Sequence, residues 1–362
     1  MGTMLITGGS GAIGAELVRR LVAEPKADRI AVLTRAPGAA RQAMLLESWQ
    51  AGAKVPVGFV RGSMLTLADA AADMRADITH VLHLAADTRF SAPPEELRAA
   101  NVDGTAAVLA FAGRCPRLSA VAVASTVYVA GLRQGTVREP ELEHEAGFAN
   151  AYEASKHEME RITRAAMRDL PVAVYRLSTA IGEEATGRVT SLNAFHTALR
   201  LVYGGMIPMI PGAADTPIDL ISTDYAARTI QHLLGERFQA GATYHLCAGA
   251  SAPLLGDLLE ASMRIMRERR PAWRKRAIEM PVLADERTYE LFARSVLESG
   301  DPMMIAAAQA VESFARQLTR PKVFDTSEAD AVLAGVTARP DSMQLCEDVI
   351  RYCIENEWRA AA

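Results

Sequence analysis

The sequence predicts an α/β protein: a doubly wound, open parallel sheet followed by a smaller, mainly helical C-terminal lobe. Three observations carry this. Short aliphatic runs alternate with longer stretches of helical period up to about residue 180, a glycine-spaced turn follows the first run, and beyond residue 182 the texture becomes Gly- and Pro-punctuated. The runs predict strands over 4–7, 29–34, 55–61, 80–84, 120–125 and 172–177, with a further strand returning near 243–246; the stretches between them predict helices over 12–23, 37–51, 94–113 and 150–169. Gly52 and Gly113 stand where left-handed caps would end the second and third helices. Consecutive parallel strands need right-handed crossovers, so one sheet covered on both faces is the economical topology. Residues 1–180 are assigned to the sheet domain and 181–362 to the lobe, whose irregular segments 204–208 and 210–212 suit a substrate site.

Composition narrows the class. The 362 residues are half hydrophobic, enough for a large core, and 39 basic against 43 acidic residues leave a formal charge of −4, with no bulk attraction for nucleic acid or an anionic membrane. Cys115, Cys247, Cys346 and Cys353 are scattered, and the seven His show no HExxH arrangement, so no metal is expected. No apolar stretch approaches the roughly 20 residues that span a bilayer. The chain opens directly into Met4-Leu5-Ile6, leaving no space for a signal peptide, and a cytoplasmic location is expected.

Thr7-Gly8-Gly9-Ser10-Gly11-Ala12-Ile13-Gly14 follows the first strand and opens the first helix. Glycines at 8, 11 and 14 allow a tight turn, close backbone approach to a pyrophosphate and close helix packing, while the helix N-terminus offers free N–H groups and partial positive charge. That is the dinucleotide-binding turn of a Rossmann domain. An acidic residue at the end of the second strand would bond a free ribose 2′-hydroxyl; here Thr34-Arg35 stands instead, and Arg35 suits a 2′-phosphate, so NADPH is preferred over NADH.

Tyr152 and Lys156 lie four apart, on one face of a predicted helix. An ammonium one turn away favours the phenolate, so the phenol is expected to be more acidic than its usual value of about 10. Thr126 ends the fifth strand, where ligands bind outside the carboxyl edge of such a sheet, and can donate a hydrogen bond beside Tyr152; strand alternation points Ser125 the other way.

Together with His83-Leu84-Ala85-Ala86, Asn101-Val102-Asp103-Gly104-Thr105 and Ser125 to Gly131, these motifs resemble the extended short-chain dehydrogenases/reductases. Within them the chain is most similar to the fatty acyl-CoA reductase and carrier-protein thioester reductase branch. Arg176 to Gly182 with Thr186-Gly187, Ile218-Asp219 with Asp224-Tyr225, and Pro321 to Thr326 carry that likeness, which is strong over 1–235. The resemblance implies a catalytic triad of Thr126, Tyr152 and Lys156. It implies an NADP site lined by Thr7, Gly8, Ser10, Gly11, Ala12, Ile13, Gly14, Arg35, Ser63, Met64, Ala85, Ala86, Lys156, Leu177, Ser178 and Thr179. Two positions depart from the family pattern: Gly62-Ser63 replaces Gly-Asp, and Arg176-Leu177 replaces Arg-Pro.

The implied reaction is hydride transfer from NADPH to an acyl thioester brought on coenzyme A or a separate carrier protein, giving an aldehyde and possibly an alcohol, by a monomer or homodimer. The rivals are a reductase of a free ketone, aldehyde or alcohol, a nucleotide-sugar epimerase or dehydratase, and a non-catalytic NADP-binding protein. A basic segment, Arg264, Arg267, Arg269, Arg270, Arg274, Lys275 and Arg276 with Trp273, is a candidate receiver for the phosphates of coenzyme A or an acidic carrier.

Overall fold

The computed structural model describes residues 2–35, 40–269 and 279–361. Along the chain run strands β1 (Thr3–Thr7), β2 (Arg29–Thr34), β3 (Val57–Arg61), β4 (Ile78–His83), β5 (Ala120–Thr126), β6 (Gly135–Val137), β7 (Val172–Leu177), β8 (Thr179–Ala180), β9 (Met209–Pro211), β10 (Leu220–Ile221), β11 (Thr243–Leu246), β12 (Val282–Ala284) and β13 (Lys322–Phe324). Seven of these form one parallel sheet in the order β11-β7-β5-β4-β1-β2-β3; β10 pairs with β8, β12 with β9 and β13 with β6. The fold is the Rossmann-like α/β class. The chain leaves β1 toward β2 on one side and returns through β4 on the other, and this reversal opens a crevice at the carboxyl edge.

The apolar runs become strands because both sheet faces are covered. On one face Leu17, Val18, Leu21 and Val22 of helix Ala12–Ala23 pack with Met4, Ile6, Ile30 and Val32; on the other, Val108, Phe111 and Met159 pack with Leu5, Val81 and Val123. Tyr225, Ala226, Ile230 and Leu233 of helix Thr223–Leu233 join the first of these cores, and β11 extends the sheet beside β7. A division at residue 180 therefore misplaces helix Thr223–Leu233, because its apolar face is buried against the first helix. A separate apolar cluster gathers Leu199, Leu258, Ile265, Val311, Val349 and Ile354 from helices Ala194–Tyr203, Leu255–Arg269, Pro302–Leu318 and Ser342–Glu355, with Ile181, the residue after β8. Gly187, at φ +64°, lets its loop lie on that last helix: a Cβ there would meet the Asp348 carbonyl carbon at 2.3 Å. No helix among the described residues is long and apolar enough to cross a membrane.

The predicted helix over 94–113 is interrupted. Pro94–Leu97 and Gly104–Ala112 are α-helical, but Arg98–Asp103 between them is a π-helical turn that buries Asn101. The helix over 150–169 runs Ala151–Ala166, with the Asn150 side chain accepting from the Glu153 N–H as its cap. Of the helix predicted over 37–51, Ala40–Ala51 is helical and 36–39 lie outside the described residues.

Behind the crevice lies a fully buried ion pair. Arg176 on β7 meets Glu160 on helix Ala151–Ala166 with Nη2 2.7 Å from Oε1 and Nε 3.0 Å from Oε2, and its remaining donors reach the carbonyls of Glu139 and Glu141 and His245 Nε2. Ser125 donates to Glu160 Oε2 at 2.7 Å. Glu160 also pairs with Arg164 at 3.0 Å, so removing the carboxylate charge leaves the buried Arg176 desolvated and uncompensated. Glu160→Gln is accordingly expected to cost on the order of 3–5 kcal/mol in urea unfolding; a loss below about 1 kcal/mol would mean that the pair is solvated in solution.

Candidate active site

Three of the four glycines of the first turn, Gly8, Gly11 and Gly14, have separate physical reasons. Gly8 sits at φ +72°, and a Cβ there would meet the Ala85 nitrogen at 2.5 Å; at Gly14 a Cβ would meet the Gly8 carbonyl oxygen at 2.2 Å. Both are required by the fold. An added Cβ at Gly11 would meet only the Gly8 oxygen, at 3.3 Å, and Gly11 is exposed where it caps helix Ala12–Ala23 without a side-chain bond. What Gly11 keeps open is the space in front of the helix N-terminus, the cradle an anionic group needs. Ser10, Ala12 and Ile13 border that space, half-buried.

A buried hydrogen-bond chain links this turn to the next strands. Thr105 donates to the Asn101 carbonyl at 2.6 Å, so its oxygen accepts from His83 Nε2–H at 2.8 Å. His83 Nδ1 is then the acceptor for the Thr7 hydroxyl at 2.6 Å, whose oxygen takes the Ala85 N–H. Every proton is assigned only if His83 is neutral, and burial, with the Lys156 charge, pushes it down to about 3. Asn101, turned inward by the π-helical turn, bonds both backbone groups of Asp87 and donates to Ser155 at 2.9 Å; Ser155 donates to the Tyr152 carbonyl at 2.8 Å. The loop after β4 is thereby tied to the helix bearing Tyr152.

Thr126, Tyr152 and Lys156 come together and all are buried. Thr126 accepts from the Tyr128 N–H at 3.2 Å and hydrogen-bonds the Tyr152 phenol. Lys156 Nζ donates to the Ala124 carbonyl at 3.0 Å, and burial pushes it down to about 8. The expectation of an acidified phenol is corrected here: burial pushes Tyr152 up, Tyr128 and Glu153 add to the rise, and only the Thr126 bond opposes it. Desolvation dominates because the ring is enclosed; it lies tilted against Phe90 with centroids 5.2 Å apart. At neutral pH the Tyr152 phenol keeps its proton. Phe90 also meets Tyr128 edge-on at 6.2 Å, and the Tyr128 hydroxyl pairs with Thr179 at 3.0 Å. Phe90 and Tyr128 lay outside the predicted site because a loop aromatic and a strand-end tyrosine carry no periodic signal.

The other predicted residues fall as follows. Leu177 is registered beside Thr126, and Ser178 lies next to Asp219, whose carboxylate accepts the Ala248 and Gly249 N–H groups. Arg35 is exposed at the end of β2 near Asp87. Ser63 and Thr66 bond reciprocally in a capping box, so the Ser63 hydroxyl is already engaged, and Met64 packs beside Gly104. Ser125 is committed to Glu160, away from the crevice. In the basic segment, Arg264 pairs with Glu347 at 2.5 Å and Arg269 with Glu355 at 2.9 Å. Arg270, Trp273, Arg274, Lys275 and Arg276 lie outside the described residues.

Residues 6–230 match the family described as male sterility protein, an NAD-binding model. The chain belongs to that family. It is an oxidoreductase of the extended short-chain dehydrogenase/reductase type, with an NAD(P)-binding domain. An isonitrile lipopeptide synthase of Streptomyces coeruleorubidus is 29% identical over 252 residues, 65% of this chain and 17% of that protein. An aldehyde reductase of Aspergillus flavus is 26% identical over 73% of this chain and 29% of its own length. The chain thus spans under a third of either relative. The terminal R domain from the myxalamid PKS-NRPS biosynthetic pathway superposes with a TM-score of 0.79 at 24% identity, over 99% of this chain and 92% of that one, and shares the fold.

Gly11→Ala is expected to weaken NADP+ binding in a fluorescence titration while thermal unfolding stays near the parent's, whereas Gly14→Ala lowers the unfolding temperature itself; equal nucleotide affinity for Gly11→Ala and the parent would remove Gly11 from the site. A second outcome concerns acid. His83 and His245 are held down to about 3 and about 4, so neither imidazole should titrate by NMR between pH 8 and about pH 5. Their depressed values mean that each contributes stability present above the ordinary value of 6.5 and lost as pH falls toward the folded one. A ring titrating near its ordinary value contradicts the assigned protons.

Proposed function

We propose that this protein is an NADPH-dependent reductase of an acyl thioester, carried on coenzyme A or on a separate carrier protein, and that Tyr152, Thr126 and Lys156 perform the proton chemistry. The observation that carries the reading is a protonated, enclosed Tyr152 phenol bonded to Thr126 at the carboxyl edge of the sheet, across from the open glycine turn. A bound reduced nicotinamide supplies hydride to the substrate carbon. Gly8, Gly11, Gly14 and the first N–H groups of helix Ala12–Ala23 would hold its pyrophosphate, and Lys156 its ribose hydroxyls. The exposed Arg35, with no carboxylate at the end of its strand, supports a 2′-phosphate and hence NADPH. The other cofactor-lining positions given above, Ser63 and Met64 included, belong to the same proposal.

As charge builds on the carbonyl oxygen, Tyr152 gives up its proton to it. The phenolate left behind keeps the Thr126 hydroxyl as donor and lies one helical turn from the Lys156 cation. As the C–S bond of the resulting hemithioacetal breaks, its hydroxyl returns a proton to the Tyr152 phenolate and the departing thiolate takes one from water, leaving an aldehyde and a thiol; Tyr152 can then donate again in a second hydride transfer, from a second reduced nicotinamide, that would give an alcohol. The shape shared with the terminal R domain of a PKS-NRPS pathway supports a carrier-borne acyl group as donor. The aldehyde reductase relative supports a second reading, reduction of a free aldehyde alone.

Octanoyl pantetheine and octanal separate the two. The expected result is NADPH consumption with thiol release from the thioester, and a Tyr152→Phe rate reduced on the order of 10²–10⁴-fold. Arg35→Ser is expected to erase the preference for NADPH over NADH. Consumption with octanal but never with the thioester selects the second reading; Tyr152→Phe at the parent's rate sinks both.

A further inference from the structure

The segment Pro321 to Thr326 has no part in the chemistry above, yet it closes on both halves of the proton-donating pair. β13 lies parallel to β6, and Phe324 is buried with Val127 and Ala130 of the turn that Thr126 caps. Lys322 Nζ donates to the Gly131 carbonyl at 2.7 Å and to Gln317 Oε1. Gln317 Nε2 donates to the same carbonyl at 3.2 Å and to Glu153 Oε1 at 2.8 Å. Glu153 Oε2 accepts the Ala149 N–H at 2.8 Å.

Both ends of this bridge adjoin the donor pair. Gly131 closes the turn that begins at Thr126, and its backbone has no latitude: φ is +55°, and a Cβ would meet the Gly147 oxygen at 2.1 Å. Glu153 directly follows Tyr152 and is buried in the first turn of its helix. One cation from the C-terminal segment therefore fixes the turn below Thr126 and, through one amide, the residue beside Tyr152. Glu153 favours the charged lysine, which burial pushes down to about 8.

We propose that Lys322, acting through Gln317, is a positioning residue that holds the Thr126 hydroxyl against the Tyr152 phenol, so that the C-terminal segment completes the proton-donating pair. This rests on the reading of Tyr152 as proton donor. A simple staple between segments would lower stability and weaken nucleotide binding and turnover together. A positioning residue slows hydride transfer and leaves nucleotide affinity alone, because the glycine turn is built from other strands.

The test is single-turnover NADPH oxidation, with whichever of octanal and octanoyl pantetheine the parent reduces, alongside NADPH affinity by fluorescence and thermal unfolding. Lys322→Met is expected to slow the single-turnover step on the order of ten- to a hundredfold with unchanged NADPH affinity. Lys322→Arg, which keeps a donor cation, recovers most of the rate. Gln317→Met, which leaves the lysine on Gly131, gives the same split between rate and affinity should Lys322→Met fail to fold, and combining the two costs little more than either alone. A folded Lys322→Met or Gln317→Met protein at the parent's rate, or one losing rate and NADPH affinity in proportion, overturns the inference. Tyr152→Phe in the same assay keeps the two ideas apart: a Phe variant at parental rate sinks the proposed function, whereas an inactive Phe variant beside a fully active Lys322→Met sinks only the positioning role.

Discussion

Glu160 lies one helical turn beyond Lys156, and Lys156 one turn beyond Tyr152, so a single face of one helix carries the enclosed phenol, the buried lysine and a carboxylate that anchors the helix. Arg176 meets that carboxylate from β7, one residue before Leu177, which is registered beside Thr126. Ser125, Thr126's neighbour, bonds the same carboxylate from β5. A guanidinium and a carboxylate removed from water are tolerable only when their hydrogen-bonding capacity is filled, and the carbonyls of Glu139 and Glu141 with His245 complete the set on the arginine. The strand end bearing Thr126 and the helix bearing Tyr152 are thus fixed by an electrostatic contact that touches neither Thr126 nor Tyr152.

In front of that pair, burial decides protonation. Desolvation disfavours whichever form is charged, so it acts in opposite directions on acids and bases: Tyr152 is pushed up, while Lys156 and His83 are pushed down. The result is a phenol that retains its proton beside a lysine close to giving one up. That is the arrangement a reductase needs, since the oxygen receiving charge must be offered a proton. The neutral His83 serves another purpose, tying the glycine turn to β4 and, through Thr105 and Asn101, to the helix that bears Tyr152.

The C-terminal half is interleaved with the sheet. Helix Thr223–Leu233 and β11 return to the first core, and β13 lies along β6 below Thr126. The Glu139 carboxylate accepts N–H groups of His245, Glu328 and Ala329, joining the loop after β6, β11 and the segment after β13. Contacts of this kind are made between groups far apart in sequence, which is why the composition change near residue 182 located a shift in texture and missed the interleaving.

The sequence by itself determined the seven strands of the large sheet and the glycine turn, because hydrophobic period and glycine spacing are local properties that survive without knowledge of neighbours; the order of those strands came from the structure. It also named Thr126, Tyr152 and Lys156, since helical spacing and a strand end suffice to bring such groups within reach. Only the tertiary structure decided the direction of the Tyr152 shift, the neutral tautomer of His83, the inward turn of Asn101 and the bridge from Lys322 to Glu153. Each depends on how much water is excluded and which distant atom fills the space, and those are properties of packed surfaces that no short window of residues encodes.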